Sequence, residues 1–494
     1  MKPFSRGAGI LLSIASLPSA YGIGTLGRAA YQFVDLLVDL RQRYWHILPL
    51  GPTSFGDSPY QSFSVFAGNP YLIDLMELIR RGLLTEQEVH KYDWEDNNSE
   101  INYELLFENR YGVLEQAFRR FDRYEESFLA FCEKEDFWLN DYSFFMALKA
   151  YSDHVAWTDW DEDIRDADMP GCERYREQLA EQIIFWKFCQ YEFFRQWMQL
   201  KQYANSRGIR IIGDIPFYAG ADSADVWAHR NWFLLNSEGR PKVAAGSPPD
   251  VFSPEGQIWG NPLYNWESME AEGFTWWKQR MEMCAWMYDA VRIDHFTGIV
   301  RSFGIDLRRG GIGSGRWYKG PGRKLTDIME KAAGECRLIA ECLGYQIPAA
   351  KKLLQKTGWS DIKVLLMAFD RNTANEHLPH NYIGPNHVVY TGTHDSDTIV
   401  GYCRDKTEYE LAFLYEYLGV KTREEIPDAI IRLAYSSIAD VVILQMQDIL
   451  QLGRETRMNQ PGAAGGNWRW RIGNEILNDE RRSCIRTWSL IYRR

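Results

Sequence analysis

Eight short, nearly continuous apolar runs alternate with helix-like segments along the chain. Most are rich in Val, Ile and Leu, as strands buried on both faces are. They are AGILLSI (8–14), YWHILPLGP (44–52), IRIIGDIPF (209–217), DAVRIDHF (289–296), CRLIAECLG (336–344), IKVLLMAFD (362–370), HVVYTGTHD (387–395) and ADVVILQMQDIL (439–450). Eight such units predict an α/β fold, a (β/α)8 TIM barrel whose chemistry collects at the C-terminal ends of the strands.

Helical periodicity and segment length predict the remaining organisation. Residues 28–42 repeat apolar positions at helical spacing, and residues 181–208 form a longer helical pattern that ends on Gly208. Residues 55–205 and 218–288 are longer than a strand-to-helix connection needs. We therefore predict a single catalytic domain over residues 1–494, with large, mainly helical insertions at these two places. The segment after the last strand is too short for a separate C-terminal β-domain.

The first twenty residues, MKPFSRGAGILLSIASLPSA, admit two interpretations. Two basic residues, a short apolar stretch and a small-residue end are typical of a secretory signal. However, Pro18 and the following YGIGTLG continue smoothly into the rest of the chain, and residues 9–14 fit a first barrel strand. The folded-strand interpretation is therefore favoured.

Composition excludes several classes of protein. The net charge of −11 argues against a nucleic-acid partner, which needs a concentrated basic surface. No run of eighteen apolar residues is present, so no membrane span is predicted. The eight cysteines lack CxxC spacing and a pairing rhythm, which indicates reduced thiols and a cytoplasmic location. With 19 Trp and 27 Tyr, the chain has aromatic rings in excess, which suits a protein that stacks on sugars, although most single rings are expected in the core.

Three predicted strands deliver a carboxylate at their C-terminal ends: Asp294, Glu341 and Asp395. In a barrel these ends meet at one mouth. Two carboxylates that face a scissile glycosidic bond suffice for glycosyl transfer, since one attacks the sugar carbon and the other protonates the leaving oxygen. Arg292 shares a strand face with Asp294 and can hold it ionised, and the apolar residues before Glu341 can raise its pKa. One such carboxylate alone is more often a capping or ion-paired residue, but three together favour a catalytic site.

Metal and phosphate sites have weaker support. His394, Asp395 and Asp397 are potential metal ligands, but no HExxH pattern or Asp/Glu-x-His pair accompanies them. The glycine-rich GGIGSG (310–315) follows an Arg-rich segment rather than a strand, so it is predicted to be a mobile loop. No Gly-x-Ser-x-Gly elbow is present. We predict no metal and no cofactor.

Long motifs follow one another along nearly the whole chain. In order they are GILLSIASLPSAYGIGTLG, GDSPYQSFSVFAGNPYLIDL, GDIPFY, AGSPPDVFSPEGQIWGNPLYNW, RIDHFTG, AECLG, YTGTHDSDT and QDILQLGRETRMNQPGAAGGNWRWR. Together they resemble the 4-α-glucanotransferases, the amylomaltase or disproportionating-enzyme family of the α-amylase-like superfamily. The resemblance implies retaining transfer of a 1,4-α-glucan segment to the 4-hydroxyl of another glucan or glucose, with maltooligosaccharides and 1,4-α-glucans as partners. The oligomeric state stays open.

The resemblance also implies roles for individual residues. Asp294 in RIDHF is the implied nucleophile, which forms a covalent glucosyl intermediate, and Glu341 in AECLG is the implied acid/base. Asp395 in THDSDT is the implied third carboxylate, which grips sugar hydroxyls with His394 and stabilises the transition state. The other implied substrate-binding residues are Tyr60 under the reacting glucose, Asp214 and Arg292 in the same subsite, Asp250 and Trp259 on a loop over the cleft, and Asn467.

Two positions depart from the family pattern. The family generally has AEDLG where Cys342 stands here, and HDNDT where Ser396 stands. Both positions neighbour implied catalytic residues. The loss of a carboxylate beside Glu341 is expected to affect its pKa or the anchoring of its loop, and thus the rate and pH optimum more than the reaction class.

Two other functions compete with glucan transfer. An α-glucan hydrolase has the same barrel, but the lack of room for a C-terminal β-domain and the NWRWR motif favour a transferase. A glucan-binding protein that has lost its chemistry is the second alternative. The three intact carboxylates argue against it, because a site without catalytic activity has no physical need to keep charges that destabilise its cleft.

Overall fold

A computed structural model describes residues 4–54, 56–94, 99–250, 253–463, 465–473 and 477–494. The described residues form two β-sheets surrounded by helices. The strands are β1 (Gly7–Leu11), β2 (Tyr44–His46), β3 (Arg210–Ile215), β4 (Ala244–Ser247), β5 (Gln257–Pro262), β6 (Ala290–Ile293), β7 (Arg301–Ile305), β8 (Arg316–Lys319), β9 (Arg337–Ala340), β10 (Ser360–Val364), β11 (His387–Tyr390) and β12 (Val441–Gln445).

Eight of these strands close into a parallel barrel in the order β1, β12, β11, β10, β9, β6, β3, β2. They coincide with the eight predicted apolar runs, so the predicted barrel is confirmed. All five residues of β12 are buried, as expected where helices cover the outside and side chains fill the inside. β10 ends at Val364, and the rest of its apolar run forms a 3-10 turn, Leu365–Met367.

Close pairing at the start of the barrel depends on a glycine. Gly9 of β1 lies opposite Tyr44 of β2. A Cβ atom at Gly9 would lie 2.3 Å from the Tyr44 carbonyl oxygen, a distance that no side chain tolerates. Gly7–Leu11 is therefore built as an inner strand, in agreement with the folded-strand interpretation of the first residues.

Helices surround the barrel and fill the first insertion. The predicted helices are confirmed as α1 and α8, and Gly208, with φ +79°, follows the end of α8 as a left-handed terminating residue. The α-helices of the described residues are α1 (Arg28–Asp39), α2 (Leu75–Arg80), α3 (Glu86–Val89), α4 (Tyr103–Phe118), α5 (Glu126–Lys134), α6 (Asp136–Tyr151), α7 (Pro170–Gln178), α8 (Ala180–Ser206), α9 (Ala224–Ala228), α10 (Trp266–Ala271), α11 (Thr275–Met287), α12 (Arg323–Ala333), α13 (Pro348–Thr357), α14 (Ile399–Arg404), α15 (Glu408–Leu418), α16 (Ile426–Ser436), α17 (Met446–Ile449) and α18 (Asp479–Ile491). Within these ranges no helix combines the length and hydropathy of a membrane span.

The second sheet was not predicted. It is antiparallel, in the order β5-β4-β7-β8, and its strands come from both sides of β6 in the chain. β4 and β5 belong to the predicted insertion at 218–288, whereas β7 and β8 follow the barrel strand that carries Asp294. The glycine-rich segment 310–315 connects β7 and β8 through a 3-10 turn, Gly311–Ser314.

Candidate active site

A cleft of about 1210 Å³ opens at the C-terminal ends of the barrel strands. It is lined by Asp294 and Glu341, which directly follow β6 and β9, and by Asp395, five residues after the end of β11. The structure therefore brings the three carboxylates together, as the positions of the strand ends predict. Of the other expected site residues, those lining the cleft are Tyr60, Asp250, Trp259, Arg292, His394 and Asn467. Asp214 lies beneath its floor, fully buried.

Arg292 connects Asp294 to the buried Asp214. Its Nη1 donates to both Asp214 carboxylate oxygens, at 2.8 and 2.9 Å, and its Nη2 lies 2.9 Å from Asp294 Oδ1. The geometry follows from the sheet, because Asp214 is the register partner of Arg292 across β3 and β6, and Asp294 is two residues further on the same face. Arg292 is thus held between two carboxylates, which compensate for its burial.

Asp214 is held by further partners below the cleft. The Tyr60 hydroxyl donates to Asp214 Oδ2 at 3.0 Å, and His46 Nε2 lies 3.6 Å from the same oxygen. Burial alone would raise the pKa of Asp214, but the Arg292 charge and the His46 contact outweigh it and hold the pKa below its usual range. His46 was not predicted as a site residue, since it lies inside the second apolar run.

Glu341 is held by backbone amides at the end of β9. The His295 amide donates to Oε2 at 2.8 Å, and the Leu343 amide donates to Oε1 at 2.5 Å. His295 has a φ of +51°, a left-handed conformation unusual for a residue other than glycine. This turn, directly after Asp294, aims the amide at Glu341 and so fixes the two carboxylates relative to each other.

Asp294 and Glu341 both have raised pKa values. Burial raises the pKa of both groups; for Asp294, the Arg292 charge opposes the shift and the negative charge of Glu341 adds to it, giving a pKa of about 7. Arg292 contacts Asp294 directly, whereas the donors to Glu341 among the described residues are the neutral amides of His295 and Leu343. Because an ion pair stabilises a carboxylate more than a neutral donor does, we assign the ionised form to Asp294 and the proton to Glu341.

Asp395 is the one of the three carboxylates whose pKa is lowered rather than raised. Burial alone would raise its pKa, but His394 and Asn459 lower it to about 2. His394 Nε2 lies 3.2 Å from Oδ2, and the Asn459 amide donates to Oδ1 at 2.5 Å. Asp395 therefore keeps its negative charge at neutral pH. Asn459 was missed because it lies in a loop far along the chain, although it falls within the last long motif.

Three rings form one wall of the cleft beside Asp395. Tyr60 and His394 stack, with ring centroids 4.9 Å apart and planes 25° apart. Trp468 lies 5.6 Å from Tyr60 and 5.8 Å from His394. Sugars present flat C–H faces that pack on such rings. Trp468 was also not predicted, and the NWRWR motif was the only signal for it.

Comparison with known proteins agrees with this geometry. Residues 12–476 match the family model described as 4-alpha-glucanotransferase. The chain belongs to the 4-alpha-glucanotransferase family. The 4-alpha-glucanotransferase of Clostridium butyricum is 43% identical over 98% of this chain and 100% of the relative. That of Thermus thermophilus is 44% identical over 97% of each chain.

Solved structures give the same result for the fold. The amylomaltase from Streptococcus agalactiae in complex with acarbose superposes with a TM-score of 0.94 at 38% identity, covering 99% of both chains. Amylomaltase from Corynebacterium glutamicum, at 17% identity and a TM-score of 0.78 over 99% of this chain and 74% of that one, shares the fold. The resemblance noted from the motifs is confirmed, and the enzyme class is 4-α-glucanotransferase.

In this transferase, the carboxylate of Asp250 and the amide oxygen of Asn467 accept hydrogen bonds from residues of their own loops. Asp250 accepts from the Ser247 hydroxyl at 2.9 Å and from the Ser253 amide at 3.1 Å. Asn467 accepts from the Gln460 amide at 3.0 Å. Trp259, on β5, meets His295 edge-on with ring centroids 4.9 Å apart. Two of these residues thus shape loops that line the cleft, and the third adds a ring beside His295.

The potential metal ligands of the transferase have other partners. His394 pairs with Asp395, and Asp397 pairs with Arg454, whose Nε lies 2.7 Å from Oδ2. Among the residues that the structure describes, no group of three or more His, Cys, Asp or Glu side chains is arranged to hold a metal ion.

The two departures from the family pattern lie beside the carboxylates. Burial raises the pKa of the Cys342 thiol well above its usual range, so the thiol is neutral next to Glu341. The Ser396 hydroxyl accepts from the Thr393 amide at 3.0 Å and thus stabilises the turn that carries Asp395. Their effects on rate and pH optimum stay predictions.

Proposed function

We propose that the enzyme transfers 1,4-α-glucan segments by a retaining, two-step reaction through a covalent intermediate on Asp294. The observation that carries this proposal is the pairing of unlike carboxyl groups at one cleft. Arg292 holds Asp294 as an anion at 2.9 Å, while the neighbouring Glu341 is buried, has a raised pKa and has no cationic partner at hydrogen-bond distance within the described residues. Such a pair supplies one nucleophile and one proton donor at neutral pH.

In the first step, an Asp294 oxygen attacks C1 of a bound glucose unit, and the bond from C1 to the glycosidic oxygen breaks. Glu341 gives its proton to that oxygen, so the leaving glucan departs with a free 4-hydroxyl. The anomeric carbon gains positive charge as the bond breaks. Asp395, ionised at neutral pH, is suited to stabilise that charge.

In the second step, the 4-hydroxyl of another glucan or of glucose gives its proton to Glu341 and attacks C1. The bond from C1 to Asp294 breaks and restores the carboxylate. Two inversions at C1 leave the product in the α configuration, as the 1,4-α-linkage requires. Transfer exceeds hydrolysis if an acceptor sugar excludes water from the covered cleft.

Several contacts support maltooligosaccharides as substrates. The stacked Tyr60 and His394 rings offer a flat surface beside Asp395, and His394 with Asp395 can hold sugar hydroxyls. Trp259 and the loops of Asp250 and Asn467 are proposed to contact sugars on the other sides of the cleft. A similar protein, the amylomaltase from Streptococcus agalactiae, was solved in complex with acarbose. No cofactor takes part in the proposed steps.

Two further parts of the proposal concern the whole chain. We place the activity in one domain over residues 1–494, because β1 pairs with β12 and so joins both ends of the chain in one barrel. None of the eight cysteines, all of which lie in the described ranges, forms a disulfide, which supports a cytoplasmic location.

Product analysis with maltotriose tests the reaction class. Wild-type protein is expected to form glucose and a ladder of longer oligosaccharides, and Asp294→Asn neither. Maltose and glucose without a ladder would identify a hydrolase, and binding without turnover would identify a glucan-binding protein. Either outcome would overturn the proposal.

The separate roles of Asp294 and Glu341 are tested with α-maltosyl fluoride, whose fluoride leaves without protonation. Glu341→Gln is expected to release fluoride and accumulate the maltosyl-enzyme, detectable by mass spectrometry. Asp294→Asn is expected to form no such adduct. Glu416→Gln, an exposed substitution on α15, serves as the matched control and should behave as wild type.

A further inference from the structure

Two aromatic rings, Trp317 and Tyr345, line the cleft, and Tyr345 belongs to the loop that follows Glu341. Trp317 lies on β8, and its ring centroid is 5.4 Å from that of Tyr345, with planes 39° apart. Phe303, the register partner of Trp317 on β7, packs 5.2 Å behind the indole and supports it. The antiparallel sheet and the loop after β9 therefore hold the two rings in place.

Both rings are available to a ligand. Tyr345 is 47% exposed, and Trp317 is half-buried. Tyr318, the next residue on β8, does not line the cleft and binds Arg316 through its hydroxyl at 2.6 Å. A partly exposed pair of amphipathic rings, in a cleft that also carries the three carboxylates, is suited to the C–H faces and hydroxyls of sugars.

The position of Tyr345 indicates which sugars it would meet. It lies four residues after Glu341, in the loop whose Leu343 amide holds the Glu341 carboxylate. The proton donor stands on the side of the departing oxygen, and the acceptor oxygen later occupies the same place. Rings on the Glu341 loop therefore face the leaving chain and the acceptor, whereas Tyr60 and Trp468 lie beside Asp395.

We propose that Trp317 and Tyr345 form an acceptor subsite that stacks the second sugar of an incoming 1,4-α-glucan. This inference rests on the transfer reaction proposed above. The subsite favours acceptors of two or more glucose units over glucose itself, because glucose fills only the position next to the reacting bond.

The preference of the enzyme for maltose over glucose as acceptor tests whether this subsite exists. With α-maltosyl fluoride as donor, fluoride release is followed while glucose or maltose is varied as acceptor, and the ratio of kcat/KM for maltose to that for glucose is taken. The ratio is expected to fall about fivefold to tenfold in Trp317→Ala and Tyr345→Ala. Tyr345→Phe, which keeps the ring, should retain most of the preference. Tyr124→Ala removes an exposed ring that does not line the cleft, and should match wild type.

The outcomes separate this inference from the proposed function. An unchanged ratio in both alanine variants would overturn the subsite, even if wild type makes longer oligosaccharides. A lower kcat/KM for the donor with an unchanged ratio would place the rings on the donor side and also overturn it. If acceptors do not speed fluoride release in wild type and only maltose forms, the transfer reaction itself fails. The kcat/KM measured with glucose as acceptor shows how much of the transfer activity each variant retains.

Discussion

Nη2 of Arg292 lies 2.9 Å from Oδ1 of Asp294, and in the proposed mechanism this contact gives two neighbouring carboxyl groups different roles. Burial raises the pKa of both Asp294 and Glu341, so the pair holds a proton at neutral pH. In the proposed mechanism, the ion pair with Arg292 keeps Asp294 ionised and leaves that proton on Glu341. Asp214 completes the arrangement because it orients Arg292 from below.

Asp214→Asn is expected to destabilise the protein by about 3 kcal/mol and to lower kcat, because it removes one of the two charges that compensate the buried Arg292. Chemical denaturation and turnover of maltotriose check this. Asp163→Asn is the matched control, since it breaks an exposed ion pair with Arg174 and should cost less than about 1 kcal/mol. Equal losses in the two variants would contradict the role of Asp214.

The effect of Asp294→Asn on stability is expected to be more favourable at alkaline than at acidic pH. Burial raises the pKa of Asp294 from 3.8 to about 7 and also raises that of Glu341, so in that window the folded pair shares a proton, held mainly by Glu341, that the unfolded chain has released. Wild-type stability therefore falls as pH rises through the window, and asparagine, which removes one of the two charges, reduces this loss. Urea unfolding at about pH 5 and about pH 8 should show that the free energy of unfolding of the variant, relative to wild type, is higher at about pH 8 by on the order of 2 kcal/mol. A difference in the opposite direction would refute the raised pKa of the pair.

Tyr60 is expected to contribute both a ring and a hydrogen bond. Tyr60→Phe keeps the stacking on His394 but leaves Asp214 without its hydroxyl donor, so kcat/KM should fall about tenfold. Tyr60→Ala also removes the ring, and kcat/KM should fall about tenfold further. Steady-state kinetics with maltotriose measures both steps. The same loss in both variants would mean that the ring does not contact the sugar.

Cys342→Asp is expected to shift the alkaline limb of the pH profile to higher pH by roughly half to one unit. The thiol of Cys342 is neutral, so an aspartate would add a negative charge beside Glu341 and raise the pKa of the proton donor further. Cys342→Ser, which adds no charge, is the control. An alkaline limb that does not move would mean that Lys351 or Lys363 compensates the added charge before it reaches Glu341, and would contradict the prediction.

The local pattern of apolar and charged residues was sufficient to predict the barrel and the three carboxylates at its strand ends. Strands buried on both faces must be apolar throughout, so each of the eight runs was visible without an alignment, and a carboxylate that ends such a run has to face an opening. The end of β10 was misjudged because the turn Leu365–Met367 is as apolar as the strand before it. Periodicity does not distinguish a buried strand from a buried turn.

The sequence by itself thus determined the barrel, the helices α1 and α8, the convergence of Asp294, Glu341 and Asp395, and the family. Only the tertiary structure decided which residues from distant segments contact the side chains of the cleft. Asn459 reaches Asp395 and Trp468 reaches Tyr60 across loops that are far apart in the chain, and Tyr345 of the loop after β9 meets Trp317 of β8. The same holds for the pairing of β4 with β7 on either side of a barrel strand. Such contacts depend on how separate loops pack against one another, and no local periodicity records that packing.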